Sequence, residues 1–134
     1  MRKRHILIID DVIGVRKMMR QTLEDADFDV RETCDGKEGL EALQATPADL
    51  VITDIIMPVM EGIETIVEIR KRFPNTRILA ISSGGMSKSL NLLGMARRLG
   101  AHDTLAKPFT AETLLARVEQ MLVDSRIYRG SRSG

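Results

Sequence analysis

Short, unbroken apolar runs alternate along this chain with stretches whose apolar residues recur every three or four positions. The run His5 to Ile9 reads as a strand covered on both faces. After it, Val15, Met18, Met19, Thr22, Leu23 and Ala26 line one side of a helix. Phe28 to Glu32 alternates weakly, as an edge-like second strand does, and Gly36, Gly39, Leu40 and Leu43 form a second helical stripe ended by Pro47. Leu50 to Thr53 is the third strand, and Ile63, Ile66, Val67 and Arg70 mark a third helix stopped near Phe73-Pro74. Arg77 to Ile81 is the fourth strand, followed by a helix on Leu92, Met95, Ala96 and Leu99 that Gly100 closes. Thr104 to Ala106 is a brief fifth strand. Leu114, Leu115, Val118 and Leu122 complete a fifth helix, with Thr110 as N-cap and Thr113 on its first turn.

Five strand-helix units in succession predict an α/β fold, a doubly wound five-stranded parallel sheet with helices on both faces. Right-handed crossovers leave few topologies, and the flavodoxin-like order 2-1-3-4-5 suits 134 residues. In that order the first and third strands lie side by side, and ligands gather where they end. The chain places Asp10 and Asp11 after the first strand, Asp54 after the third and Lys107 after the fifth. Three carboxylates at one edge repel one another unless a cation joins them, so the pattern anticipates Mg²⁺ and a phosphoryl group.

Composition narrows the picture without changing it. The length suits one domain, and 43% hydrophobic content is ordinary for a globular chain. Aromatics make up only 3%, so aliphatic residues and the eight Met must fill the core. A net charge of +1 gives no overall bias toward nucleic acid or membrane surfaces. The single Cys34 forms no internal disulfide, which fits a reducing compartment, and no apolar stretch is long enough to span a bilayer. A soluble, cytoplasmic protein is expected. Residues 1–124 are read as the domain and the Gly/Ser/Arg-rich residues 125–134 as a flexible tail, too short to hold a DNA-reading helix-turn-helix.

The separated motifs Asp10-Asp11 with Arg16 beyond, Asp54 with Met57-Pro58 and Gly62, Ser82 closing the fourth strand, and Lys107-Pro108-Phe109 resemble the receiver domain of bacterial two-component response regulators. The stretch Lys107 to Leu114 is similar to the chemotaxis-type single-domain members. The resemblance covers residues 5 to 124. It implies that Asp54 is the phosphoacceptor, taking its phosphoryl group from a phosphohistidine on a sensor histidine kinase or histidine phosphotransfer protein. It implies Mg²⁺ held by Asp10, Asp11, Asp54 and the backbone carbonyl of Ile56, with Lys107 and Ser82 on the phosphoryl oxygens and a cis peptide before Pro108. On the residues alone, Lys107 can equally form a structural ion pair with Asp54. The protein is then expected to be a phosphorylation-activated switch that assists its own phosphorylation and dephosphorylation rather than an enzyme with a separate substrate.

Departures from the family pattern carry expectations of their own. Family members commonly place an aromatic residue where this chain has Thr104, so the switch is expected to use another element. Ile56 and Gly84 lack polar side chains to orient a hydrolytic water, which predicts no unusually fast dephosphorylation. Ser82-Ser83-Gly84-Gly85 reads as a loop that moves when Ser82 engages phosphate, not as a P-loop, because no Gly-Lys-Ser/Thr follows. A second apolar row on the fourth helix, Met86, Leu90 and Leu93, is either buried or an exposed patch; the functional expectation is that it joins the fifth strand and fifth helix in docking a downstream protein.

Two other classes fit less well. A Mg²⁺-dependent aspartyl phosphatase places a second acid two residues beyond its nucleophile, where this chain has Ile56. A flavin or nucleotide binder needs a Ser/Thr-rich phosphate loop where Asp10-Asp11 stands. A receiver that only docks partners has no use for the intact acidic set. A receiver excised from a larger regulator or hybrid kinase stays open.

Overall fold

The computed structural model describes residues 3–55, 61–82 and 86–133, with side-chain surroundings for 3–55, 62–82 and 93–123. Strands and helices alternate: β1 (His5–Ile9), α1 (Ile13–Asp25), β2 (Asp29–Thr33), α2 (Gly36–Ala45), β3 (Leu50–Asp54), α3 (Glu61–Arg72), β4 (Arg77–Ser82), α4 (Met86–Leu99), β5 (Asp103–Ala106) and α5 (Ala111–Ser133). The strands form one parallel sheet in the order β2-β1-β3-β4-β5. Class, order and element count agree with the sequence expectation.

Successive strand residues face opposite sides of a sheet, so each apolar run supplies two cores. Ile6, Ile8, Leu50, Ile52, Leu79 and Ile81 meet Met19 and Leu23 of α1 and Leu114, Val118, Met121 and Leu122 of α5. Leu7, Ile9, Val51, Ile78 and Ala80 meet Leu43 of α2, Ile63, Ile66 and Ile69 of α3, and Leu93 and Ala96 of α4. β2 is an edge strand with Val30 as its buried residue, as its weak alternation predicts.

Two helices bury part of their predicted faces, Ile63 and Ile66 on α3 and Ala96 on α4, and differ at other positions. On α3, Ile69 is buried and Val67 is 39% exposed, the reverse of the sequence assignment. Gly62 explains it: a Cβ there would stand 2.5 Å from the Ile55 Cα and 2.6 Å from the Asp54 carbonyl oxygen. That close approach fixes which side of α3 faces the sheet, and it places the helix start against the backbone at the end of β3. On α4, Leu93 is buried in the core with Ala96, whereas Leu99 is 41% exposed. Leu93 is therefore a packing residue and not part of an exposed docking row. The side-chain surroundings of Met86, Leu90 and Leu92 lie outside the described residues.

Two helix ends follow their capping signals. The Thr113 N–H donates to the Thr110 side-chain oxygen at 3.0 Å, so Thr110 caps α5. Gly100 ends α4 with φ +140°, a conformation that favours glycine, and the aliphatic stem of Arg70 lies over it. The helical run of α5 includes 125–133, the stretch read from sequence as a tail.

Candidate functional site

Parallel strands end on one side of the sheet, and β1, β3 and β5 deliver acidic and basic side chains there. Asp10 and Asp54 are buried although charged side chains are rarely so, and Asp11 beside them is exposed. One carboxylate oxygen from each of the three lies within 4.8 Å of the others. Lys107, following β5, places its Nζ 2.8 Å from Asp54 Oδ2 and 3.1 Å from Asp10 Oδ2, with 11% of its side chain exposed. Residues separated by 53 and 97 positions in sequence thus share one hydrogen-bonded cluster.

Burial opposes the charge on Lys107. The hydrogen bond and charge of Asp54, joined by those of Asp10, outweigh it and raise the Lys107 pKa above its ordinary value. The amine therefore stays an ammonium and offsets part of the acidic repulsion. A buried pair of this kind costs desolvation that its attraction barely repays, so its presence is weak evidence of a purely stabilising role.

Asp10 is held at every polar atom. Its N–H donates to the Thr33 carbonyl at 3.2 Å, and its Oδ1 accepts from the Val12 N–H at 2.8 Å. Its carbonyl accepts from Arg16 Nη1 at 2.7 Å. Arg16 Nε in turn donates to Glu32 Oε1 at 2.8 Å, and Glu32 also takes Arg20 at 2.7 Å and Lys17 at 3.1 Å. Burial pushes the Glu32 pKa up, but hydrogen bonds from Arg20, Arg16 and Lys17 override it and hold the value at about 2. The sequence pattern gives Arg16 no role and does not single out Glu32. Their pairing depends on the β1-β2 register, Ile8 opposite Glu32, which a single chain's pattern does not display.

The remaining residues singled out from sequence fall as follows. Ser82 is buried at the end of β4, and its carbonyl accepts from the Lys107 N–H at 2.7 Å. Asp54 pairs with Ile81, so Ser82 stands one residue beyond it on the adjacent strand. The Lys107-Pro108 peptide is cis, as the resemblance implies. Thr104 is half-buried, and Arg117 donates to its carbonyl at 2.7 Å. Ile56, Met57, Pro58, Ser83, Gly84 and Gly85 lie outside the described residues.

A second group of ligand atoms, from Cys34, Asp35 and Glu38, also lies within 4.8 Å. Helix capping accounts for it: Asp35 accepts from the Glu38 N–H at 2.8 Å, and Glu38 accepts from the Cys34 N–H at 3.2 Å. The hydrogen bond to Glu38 raises the Cys34 pKa, which disfavours the reactive thiolate.

The model of the response regulator receiver domain matches residues 6–119. The chain belongs to this family. The chemotaxis protein CheY of Listeria monocytogenes is 31% identical over 116 residues, which are 86% of this chain and 95% of that protein. The solved structure of the chemotaxis response regulator CheY4 of Vibrio cholerae superposes with a TM-score of 0.78 at 32% identity, covering 89% of this chain and 98% of that one. NtrX of Brucella abortus superposes with a TM-score of 0.89 at 28% identity, covering 98% of this chain but 29% of that one. The fold is thus found both as a whole protein and as one part of a longer regulator. Receiver domains are signalling switches controlled by phosphorylation, and this chain is one of them. Its acidic cluster suits a divalent metal: two buried carboxylates and one exposed one supply hard oxygen ligands on one side. No helix among the described residues is long and apolar enough to cross a membrane.

Proposed function

We propose that this receiver domain takes a phosphoryl group onto Asp54 from a phosphohistidine donor, with Mg²⁺ held by Asp10, Asp11 and Asp54. The observation that carries the reading is the convergence of three carboxylates within 4.8 Å, two of them buried and joined to the Lys107 ammonium. In the reaction an Asp54 carboxylate oxygen bonds to phosphorus while the phosphorus–nitrogen bond of phosphohistidine breaks. The bonding pair leaves on the imidazole nitrogen, which takes up a proton. Dephosphorylation is attack by water on phosphorus, returning the carboxylate and releasing inorganic phosphate. Mg²⁺ bound at the acidic cluster supplies positive charge to phosphoryl oxygens that the carboxylates would otherwise repel.

The protein's own share is alignment and charge. Asp10 is immobilised at all its polar atoms, so its carboxylate needs little reorganisation. Lys107 already sits on Asp54 and is a point charge able to follow a phosphoryl oxygen attached there. Ser82, one residue further along β4, is the hydroxyl assigned to the same group. The Ile56 carbonyl is the further metal ligand in this reading. Such chemistry acts on the domain itself and needs no separate substrate pocket, so the protein is a phosphoacceptor rather than an enzyme.

The donor is a sensor histidine kinase or a histidine phosphotransfer protein, and the cytoplasm is the location. Phosphorylation shifts an inactive-active equilibrium that a downstream protein reads on the face of α4, β5 and α5. With a net charge of +1, no nucleic acid or membrane partner is assigned to the domain itself. Residues 1–124 are the switching unit in this reading, in keeping with the family match over residues 6–119, and 125–134 are an appendage to it. A receiver belonging to a longer regulator is supported by the coverage of NtrX at 29% of its length.

Incubation with acetyl phosphate and Mg²⁺, followed by intact mass measurement, tests the reading. The wild type gains one phosphoryl group, and Asp54→Asn or omission of Mg²⁺ abolishes the gain. Equal labelling of Asp54→Asn would overturn the assignment.

A further inference from the structure

We infer that Arg16 is a positioning residue for the metal site, acting through the main chain of Asp10 and held in place by Glu32. The inference rests on the acidic-site reading above and adds a residue that touches neither metal nor phosphoryl group. The guanidinium bridges two acceptors at once: Nη1 to the Asp10 carbonyl at 2.7 Å and Nε to Glu32 Oε1 at 2.8 Å. A planar fork can hold both in fixed relation, whereas an ammonium on a flexible stem cannot.

The Asp10 carbonyl belongs to the peptide that joins Asp10 to Asp11, so anchoring it fixes the plane from which Asp11 departs. Asp11 needs that help. Its side chain is exposed, and it has no hydrogen-bond or ion-pair partner among the described residues. Asp10, by contrast, is clamped by Thr33, Val12 and Lys107. Glu32 is the foundation of the arrangement. Its side chain is 8% exposed, and it stays ionised by binding Arg16, Arg20 and Lys17 together.

Electrostatics and positioning predict opposite signs, which makes the inference testable. Arg16 is a cation beside a cation site, so deleting it should tighten Mg²⁺ binding if charge alone mattered. If positioning dominates, Arg16→Ala weakens binding, and Arg16→Lys, which keeps the charge but loses the fork, weakens it as well. Partners behind metal ligands are typically worth tenfold to a hundredfold in affinity, and about tenfold is expected here.

Titration calorimetry with Mg²⁺ alone on the full chain gives the dissociation constants, with thermal melts of the metal-free proteins alongside. The inference predicts about tenfold weaker binding for both Arg16→Ala and Arg16→Lys, and Arg16→Lys serves if the alanine variant does not fold. Equal or tighter binding by either folded variant overturns it while leaving the acidic site standing. Absence of saturable binding by the wild type, or undiminished binding by Asp11→Ala, overturns the acidic-site reading and this inference with it.

Discussion

The two ends of the sheet use buried and half-buried polar side chains in different ways. At the end where the strands begin, three polar side chains bond directly to the backbone. Asp49 Oδ2 accepts from the His5 N–H at 2.8 Å, His102 Nδ1 from the Ile78 N–H at 3.0 Å, and Thr76 donates to the Ala48 carbonyl at 2.9 Å. At the end where the strands finish, Asp10, Asp54 and Lys107 are committed largely to one another. A side chain bonded to main chain extends the ladder and has one state. A carboxylate bonded to an ammonium can exchange that partner for a metal ion or a phosphoryl group. The first end is construction, and the second is a switch.

The largest test of this contrast removes Lys107. Lys107→Met leaves two buried carboxylates without their cation, and breaking a buried pair in this way costs about 3–5 kcal/mol of stability without metal. Mg²⁺ should then bind more tightly than to wild type, because its competitor is gone, and at a hundred times its Kd should restore about 2.7 kcal/mol. Urea unfolding with and without Mg²⁺ measures both effects, and a variant as stable as wild type without metal would dissolve the distinction between the two ends.

A smaller effect belongs to His102. Burial, then the charges of Arg70 and Arg77, lower its pKa from 6.5 to about 4. The unfolded chain therefore takes up its proton first as pH falls, and this residue's share of stability drops between pH 6.5 and 4 and levels off below. After discounting for partial exposure the loss is about 2 kcal/mol. His102→Asn, which keeps an acceptor for the Ile78 N–H, should flatten urea midpoints in that window. Glu32, with its pKa lowered from 4.5 to about 2, loses its contribution only below pH 4.5 and supplies a separate signature.

The smallest effect is expected at Asp49. Its carboxylate serves as a backbone acceptor, a task the Asn amide oxygen also performs, so Asp49→Asn should cost less than about 1 kcal/mol. Mg²⁺ affinity, read by calorimetry, should not change. A changed affinity would mean that the two ends are coupled.

Most of the fold is written in the strand runs, because a buried parallel strand needs continuous apolar residues and few other elements do. The acidic cluster was legible for a related reason: a carboxylate directly after such a run must sit at the ligand-binding edge. What escaped were rotations and pairings. Val67 and Ile69 fit a helical stripe equally well until Gly62 chooses between them, and Leu93 shows its place only when the core is assembled. Glu32 lies on a weakly patterned edge strand, and its three cations all come from α1. Its meaning appears only when β2 is laid beside β1.

The most direct test of the central claim locates the phosphoryl group chemically. After phosphorylation by acetyl phosphate with Mg²⁺, borohydride reduces an aspartyl phosphate to homoserine, and peptide mass spectrometry reads its position. The account predicts homoserine at position 54 and at no other. Homoserine at position 10 or 11, or unaltered aspartate at 54 in protein that carries phosphate, would contradict it.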